Sequence, residues 1–169
     1  MAAPETTPRI ELLRAQHDRS GFTCGKESLD RYFQRQITQD ARRHLATPFV
    51  MVMPDGAIAG FYTLSSTALR LSDLPEDVAK RLPRYPLVPA TLIGRLAMDR
   101  RYHGQGFGSF LFLDALHRCS RSEVASFAVI VDAIDEEARG FYVHHSFLPL
   151  PDSPYRLFRR MNDIEALFK

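Results

Sequence analysis

The rhythm of apolar and polar positions changes several times along these 169 residues, and each change marks an element. Leu29, Phe33, Ile37, Ala41 and Leu45 recur at every fourth position, which predicts a helix from about Leu29 to Leu45 with one apolar face. Ser28 or Lys26-Glu27 leads into it after the loop-like run HDRSGFTCGKES, and Thr47-Pro48 ends it. Phe49 to Met53 and Ala57 to Leu71 read as two strands joined through Pro54-Asp55-Gly56, a hairpin. Ile10 to Leu13 is apolar but too short to choose between a strand and a helical turn. Leu74 to Leu82 fits a short helix begun by Ser72 or Asp73. Pro83, Pro86 and Pro89 then make RLPRYPLVPA an extended connector.

The second half opens on an apolar strand, Leu92 to Met98. A basic, glycine-rich turn follows, then a helix from Ser109 to Cys119 that is apolar almost all round and expected to be buried. Phe127 to Val131 is an uninterrupted apolar run, as in a strand covered on both faces. Asp135 is placed to N-cap a helix from Glu136 to about His145. Gly140 inside that helix costs about 1 kcal/mol relative to Ala, pointing to close packing or close ligand approach. SFLPLPDSP reads as a loop, Tyr155 to Met161 as a last strand, and Asn162 or Asp163 as the cap of a tail helix ending at Phe168. This order implies an α/β chain: a mixed sheet built round a strand–helix–strand core. Residues 1–8 are small and polar with two prolines and read as a loose terminus, leaving 9–169 as one domain.

Composition narrows the chemistry. A net charge of +2 gives no general affinity for nucleic acid, so an anionic partner has to be met by a local patch. Cys24 and Cys119 lie far apart without metal-like spacing and read as free thiols in a reducing compartment. The N-terminus lacks the apolar core of a signal peptide, and no run reaches the ~18 apolar residues of a membrane span. A cytoplasmic location is expected.

The glycine turn carries the clearest chemistry. Gly104, Gly106 and Gly108 alternate where the helix must begin, leaving backbone N–H groups uncovered beside a partial positive charge. That arrangement suits a phosphate or pyrophosphate, and Arg100 and Arg101 strengthen the field. A P-loop is excluded because no Gly-Lys-Ser/Thr follows, and a dinucleotide fold lacks a clear acidic partner about 20 residues on.

RRYHGQGFGSFLF resembles the acyl-coenzyme A loop of the GCN5-related N-acetyltransferases, with Arg101, Gly104 and Gly106 filling the pattern. VDAIDEEARGFYVHHSF resembles the family's later strand and helix, although Ser146 replaces the usual Gly and Asp135 stands where Asn is common. GFTCGKESLDRYFQRQ, LIGRLAMDRRYHGQGFG and YRLFRRMNDIEALF extend the likeness from about residue 9 to the toxin branch of that superfamily. The resemblance implies the GNAT fold, a mixed central sheet splayed at the acyl-CoA site and flanked by helices, with acetyl-CoA as donor and no metal. It further implies that the main chain of Leu96 and Met98 binds the pantetheine amides. The amides from Gly104 through Gln105, Gly106, Phe107 and Gly108 to Ser109 would hold the pyrophosphate. Tyr142 would be the general acid that protonates the leaving thiolate.

For the toxin branch the implied acceptor is the amino group of aminoacyl-tRNA, with translation blocked and the enzyme neutralised by a ribbon-helix-helix antitoxin. An α-amine of pKa ~7.8 is already about one-eighth neutral at pH 7, so it needs little help from a protein base. Glu136, Glu137, His144 and His145 are available as bases, and none is assigned. Candidate tRNA contacts are the stripe Arg31, Arg35 and Arg42, the connector residues Arg81 and Arg84, and Arg95 and Arg159 at the acceptor cleft. The competing classes are an N-acetyltransferase of a small amine or protein amino group and a non-catalytic acyl-CoA-binding module. The residue pattern leaves the choice between monomer and homodimer open.

Overall fold

The computed structural model describes residues 7–169, so most of the expected loose terminus lies outside the described residues. The chain runs β1 (Arg9–Leu12), α1 (Glu27–Arg35), α2 (Ile37–Arg42), β2 (Thr47–Val52), β3 (Ile58–Arg70), α3 (Glu76–Ala79), β4 (Leu87–Met98), α4 (Phe107–Ser120), β5 (Ala128–Asp132), α5 (Glu136–His144), β6 (Leu148–Leu150), β7 (Ser153–Arg160) and α6 (Met161–Ala166). Single 3-10 turns occur at Leu71–Asp73 and Arg100–Tyr102. The strands form one mixed sheet in the order β1-β2-β3-β4-β5-β7-β6, the α/β architecture expected. Two compact units share these elements. The first takes in the chain as far as Leu64 together with Gly94–Ala115, and the second Ser65–Ile93 together with Leu116–Lys169.

In the first unit, β1 pairs antiparallel with β2, and β2 with β3. The β2–β3 turn falls at Pro54-Asp55-Gly56, where Gly56 takes a φ of +91° and Asp55 accepts the Ala57 N–H at 2.9 Å. The core under these strands is aromatic. Phe33 stacks on Phe61 with ring centroids 4.3 Å apart, and Phe22 meets both rings edge-on. Gly60 lets β3 and the end of β4 approach, because a Cβ there would lie 2.9 Å from the Ala97 carbonyl oxygen.

The second unit carries the parallel pairing of the sheet. β4 and β5 run parallel from Ala90↔Ala128 to Ile93↔Val131, and β4 continues past that register to Met98. β5 is buried on both faces from Ala128 to Val131, as its unbroken apolar run requires. β7 pairs antiparallel with both β5 and β6.

Several expectations give way. The helix expected from Leu29 to Leu45 is two, divided at Gln36 (φ −116°). A strict four-residue spacing drifts by about 40° per step from a 3.6-residue turn, and the break resets it, so that Phe33 and Ile37 are both fully buried. His44 turns left-handed at φ +59° after α2, Leu45 is exposed, and Pro48 sits inside β2 opposite Thr63. Strand β4 begins within the proline-rich connector, where Pro89 supplies only an acceptor, to the Phe127 N–H at 2.8 Å. The expected loop SFLPLPDSP contains β6, which lies at the edge of the sheet and so tolerates Pro149.

Helix α3 is shorter than expected and is preceded by Pro75. Helix α6 starts at Met161 with no side-chain cap, and Asp163 instead meets Arg160 at 3.3 Å. Helix α4 starts at Phe107 rather than Ser109. It is not buried all round: Leu111, Phe112, Ala115 and Leu116 are fully covered, whereas Phe110 and Leu113 stand exposed. Among the described residues no helix is long and apolar enough to cross a membrane. Cys24 and Cys119 are buried free thiols, pushed up to about 11 and about 12 chiefly by that burial, so neither is a ready nucleophile.

Candidate active site

The glycine loop of the first unit is braced by a carboxylate. Asp99, only 1% exposed, follows β4 and caps the 3-10 turn Arg100–Tyr102. It accepts the Arg101 N–H at 2.9 Å, Arg101 Nε at 3.0 Å and the Thr23 N–H at 3.1 Å. Burial pushes its pKa up, but these bonds to Arg101 and Thr23 outweigh burial and hold the carboxyl below the usual carboxylate range. The Arg101 side chain is thereby committed to the loop itself. Gln105 is too, donating from Nε2 to the Arg101 carbonyl at 3.2 Å. The Gln105 side chain is thus occupied within the loop.

Gly104 and Gly106 adopt φ values of +75° and +82°, and a Cβ on either would meet nothing within 4 Å. Backbone conformation, not crowding, requires glycine there. The turn delivers the chain into α4, whose first-turn N–H groups point out along the helix axis, the positive end of the helix dipole. Leu96 is half-buried and Met98 is buried. The Met98 carbonyl is bonded to His103 Nε2 at 2.7 Å, which bears on its expected part in binding pantetheine.

In the second unit Asp135 caps α5 as expected, accepting the Ala138 N–H at 2.8 Å. Gly140 is exposed, and a Cβ there would meet nothing within 4 Å, so the expected close packing is absent. The helix closes in a tight C-terminal motif. The Phe147 N–H reaches the Tyr142 carbonyl at 3.1 Å and the Ser146 N–H reaches the Val143 carbonyl at 2.9 Å. Tyr142 and Phe147 also pack side chain to side chain, with ring centroids 6.3 Å apart. Tyr142 is 6% exposed. Burial, and then the charge of Asp132, pushes its phenol well above the usual tyrosine value, so it keeps its proton throughout the neutral range. His145 is shifted the other way by burial and by the charges of His144 and Arg159, which favours its neutral form.

The motif puts Ser146, an exposed residue, at φ +67°, where glycine is the relaxed choice. Ser146→Gly is expected to stabilise the protein by about 0.5–1 kcal/mol, because the strain is relieved and no packing is lost. A thermal melt should show Tm higher by about 1–4 °C.

The candidate cations are dispersed. Arg31, Arg35 and Arg42 are exposed, and Arg31 pairs with Glu27 at 2.5 Å. Arg31 and Arg35 line one cleft of the first unit, without Arg42. Arg95 is exposed and lies 4.0 Å from the Tyr32 ring centroid, while Tyr32 donates to Asp40 at 2.9 Å. In the second unit Arg81 and Arg159 line a pocket of about 170 Å³, and Arg159 Nη1 donates to the His145 carbonyl at 3.1 Å. Arg84 is exposed in the proline-rich run before β4. Among the described residues no three metal-ligating side chains come together. The bracing carboxylate missed by sequence reasoning is Asp99, although an Asp just before a turn is a capping signal.

The model of the acetyltransferase (GNAT) family matches residues 10–147, and the chain belongs to that family. The tRNA-acetylating toxin of Mycobacterium tuberculosis is 36% identical over 152 residues, which span 89% of this chain and 90% of that protein. AtaT complexed with acetyl-methionyl-tRNAfMet superposes with a TM-score of 0.87 at 29% identity, covering 96% of this chain and 100% of that one. A tyrosine-to-phenylalanine mutant of the AtaT toxin, bound to the C-terminus of the antitoxin AtaR and acetyl-CoA, gives a TM-score of 0.82 at 26% identity. That alignment covers 96% of this chain and 98% of AtaT.

Proposed function

We propose that this protein transfers the acetyl group of acetyl-CoA to the α-amino group of aminoacyl-tRNA, blocking translation, and that a cognate ribbon-helix-helix antitoxin neutralises it. The observation that carries the reading is its end-to-end similarity to the tRNA-acetylating toxin, 36% identical over 89% of this chain. Residues 9–169 act as one acetyltransferase domain working in the cytoplasm.

The roles follow from the two halves of the chemistry. The backbone amides from Gly104 to Ser109 hold the pyrophosphate of the donor, and Arg101 with Asp99 keeps that loop in shape. The main chain of Leu96 and Met98 receives the pantetheine arm, the Met98 carbonyl once His103 releases it. The neutral amine attacks the thioester carbonyl, so a C–N bond forms and the C–S bond breaks. Tyr142 gives its phenolic proton to the departing thiolate, the acceptor nitrogen loses a proton to water, and water restores the phenol. A phenol with a raised pKa is fully protonated when this step begins. Burial that raises the phenol raises a thiolate expelled into the same surroundings as well, which keeps the transfer balanced.

Radiolabelled acetyl-CoA incubated with a pool of charged tRNA tests the reading. Label should pass to charged tRNA and not to deacylated tRNA. Transfer to free lysine or polyamine with charged tRNA left unlabelled would move the assignment to a small-amine acetyltransferase.

A further inference from the structure

The first unit holds a cleft of about 580 Å³ whose walls include Thr23, Gly25, Gln34, Arg31, Arg35 and Arg100. Its size lies within the ~300–1,000 Å³ of ordinary ligand clefts, but no aromatic or aliphatic side chain lines it. It is built to meet charge. Two carboxylates also face it, and both are already committed. Glu27 pairs with Arg31, and Asp30 accepts the Thr23 hydroxyl at 2.9 Å and the Cys24 N–H at 2.8 Å.

Arg35 and Arg100 differ from Arg31. Among the described residues no side chain forms a hydrogen bond or ion pair with either guanidinium. Arg100 is nevertheless held in place. Gly25 has a φ of +90°, and a Cβ there would fall 2.7 Å from Arg100 Nε and 3.0 Å from Nη2, so the guanidinium lies against bare backbone. The Arg100 N–H is anchored as well, to the Thr23 carbonyl at 2.9 Å. Arg31 and Arg35 stand one turn apart on α1, a rise of about 6 Å along its axis.

We propose that this cleft seats the phosphodiester backbone of the acceptor RNA, with Arg35 and Arg100 each paired to a phosphate and Arg31 beside them. The proposal rests on the reading of the acceptor as aminoacyl-tRNA. A strand read here is read by its charge and not by its bases, because the walls offer no ring for stacking. The cleft thus positions the RNA without selecting its sequence.

The test measures binding of deacylated tRNA against salt, together with KM values for charged tRNA and acetyl-CoA. The proteins compared are the wild type, the double variant Arg35→Gln/Arg100→Gln, and Arg100→Lys. The double variant should bind tRNA at least tenfold more weakly near physiological salt. Its slope of log K against log salt should be shallower by about 1.4–1.8, the loss of two phosphate contacts. Arg100→Lys, which keeps the charge, should keep the slope. Unchanged tRNA affinity and slope in a double variant of wild-type Tm would overturn the proposal. So would a raised KM for acetyl-CoA with tRNA binding intact, which would place a phosphate of the donor here instead. A wild type that binds tRNA through these arginines yet acetylates none would sink the functional reading and leave the cleft assignment standing. A wild type that binds no tRNA would sink both.

Discussion

Tyr142→Phe is expected to lower the rate of acetyl transfer by about 10²–10⁴-fold, the usual contribution of a positioned general acid. The KM for acetyl-CoA should barely move, since the loop proposed to hold the donor is untouched. The ring stays, so its contact with Phe147 and the C-terminal motif of α5 stay too, and a thermal melt should remain near wild type. The pH profile supplies a second check. The phenol of Tyr142 is raised above its ordinary value, so its proton is present across and beyond the neutral range. The wild-type rate should therefore climb as the acceptor amine deprotonates around pH ~7.8 and then stay level to at least pH ~10. A fall between pH ~8.5 and ~10 in wild type, absent from the phenylalanine variant, would contradict a raised phenol. Steady-state kinetics with charged tRNA between pH 6 and 10 decide the matter.

The second large effect belongs to Asp99. Its carboxylate accepts two backbone N–H groups and the Arg101 guanidinium while almost wholly buried. Asp99→Ala leaves the Thr23 and Arg101 donors without that acceptor. At about 1.5–3 kcal/mol for bonds to a charged group, discounted for the solvent exposure of Arg101, the expected cost is about 3 kcal/mol. Denaturant unfolding should show that loss, and the KM for acetyl-CoA should rise at least tenfold as the loop relaxes. Because the folded pKa of Asp99 is depressed, its contribution is present above the unfolded value near ~3.9 and is lost as pH falls through the folded value. Wild type should lose stability below pH ~4 more steeply than Asp99→Asn, which carries no titrating carboxyl there. Parallel acid slopes for the two proteins would remove Asp99 from this role.

Much of the fold is written locally and could be read from the chain. The Pro-Asp-Gly turn, the Asp135 cap and the apolar run of β5 from Ala128 to Val131 each need only neighbouring residues, so each stands as expected. The division at Gln36 has no proline or glycine to announce it. It arises because Phe33 and Ile37 must both face the same core. Strand β6 is only three residues long and includes a proline, and it exists because β7 provides the partner. Exposed Phe110 and Leu113 show the opposite limit: composition cannot say which side of an apolar helix is covered. In the site, the glycine turn was legible because φ values near +80° demand glycine at Gly104 and Gly106. Asp99 was not, since its meaning depends on Thr23, 76 residues away.

That long span also sets a clock. A ribosome adding about 5–20 residues per second needs roughly 4–15 s to pass from Thr23 to Asp99, and only then can the two be joined. Tyr142 emerges later still. A growing chain therefore carries neither the Asp99 brace nor Tyr142 while most of it is being made, and the transfer proposed above waits on both.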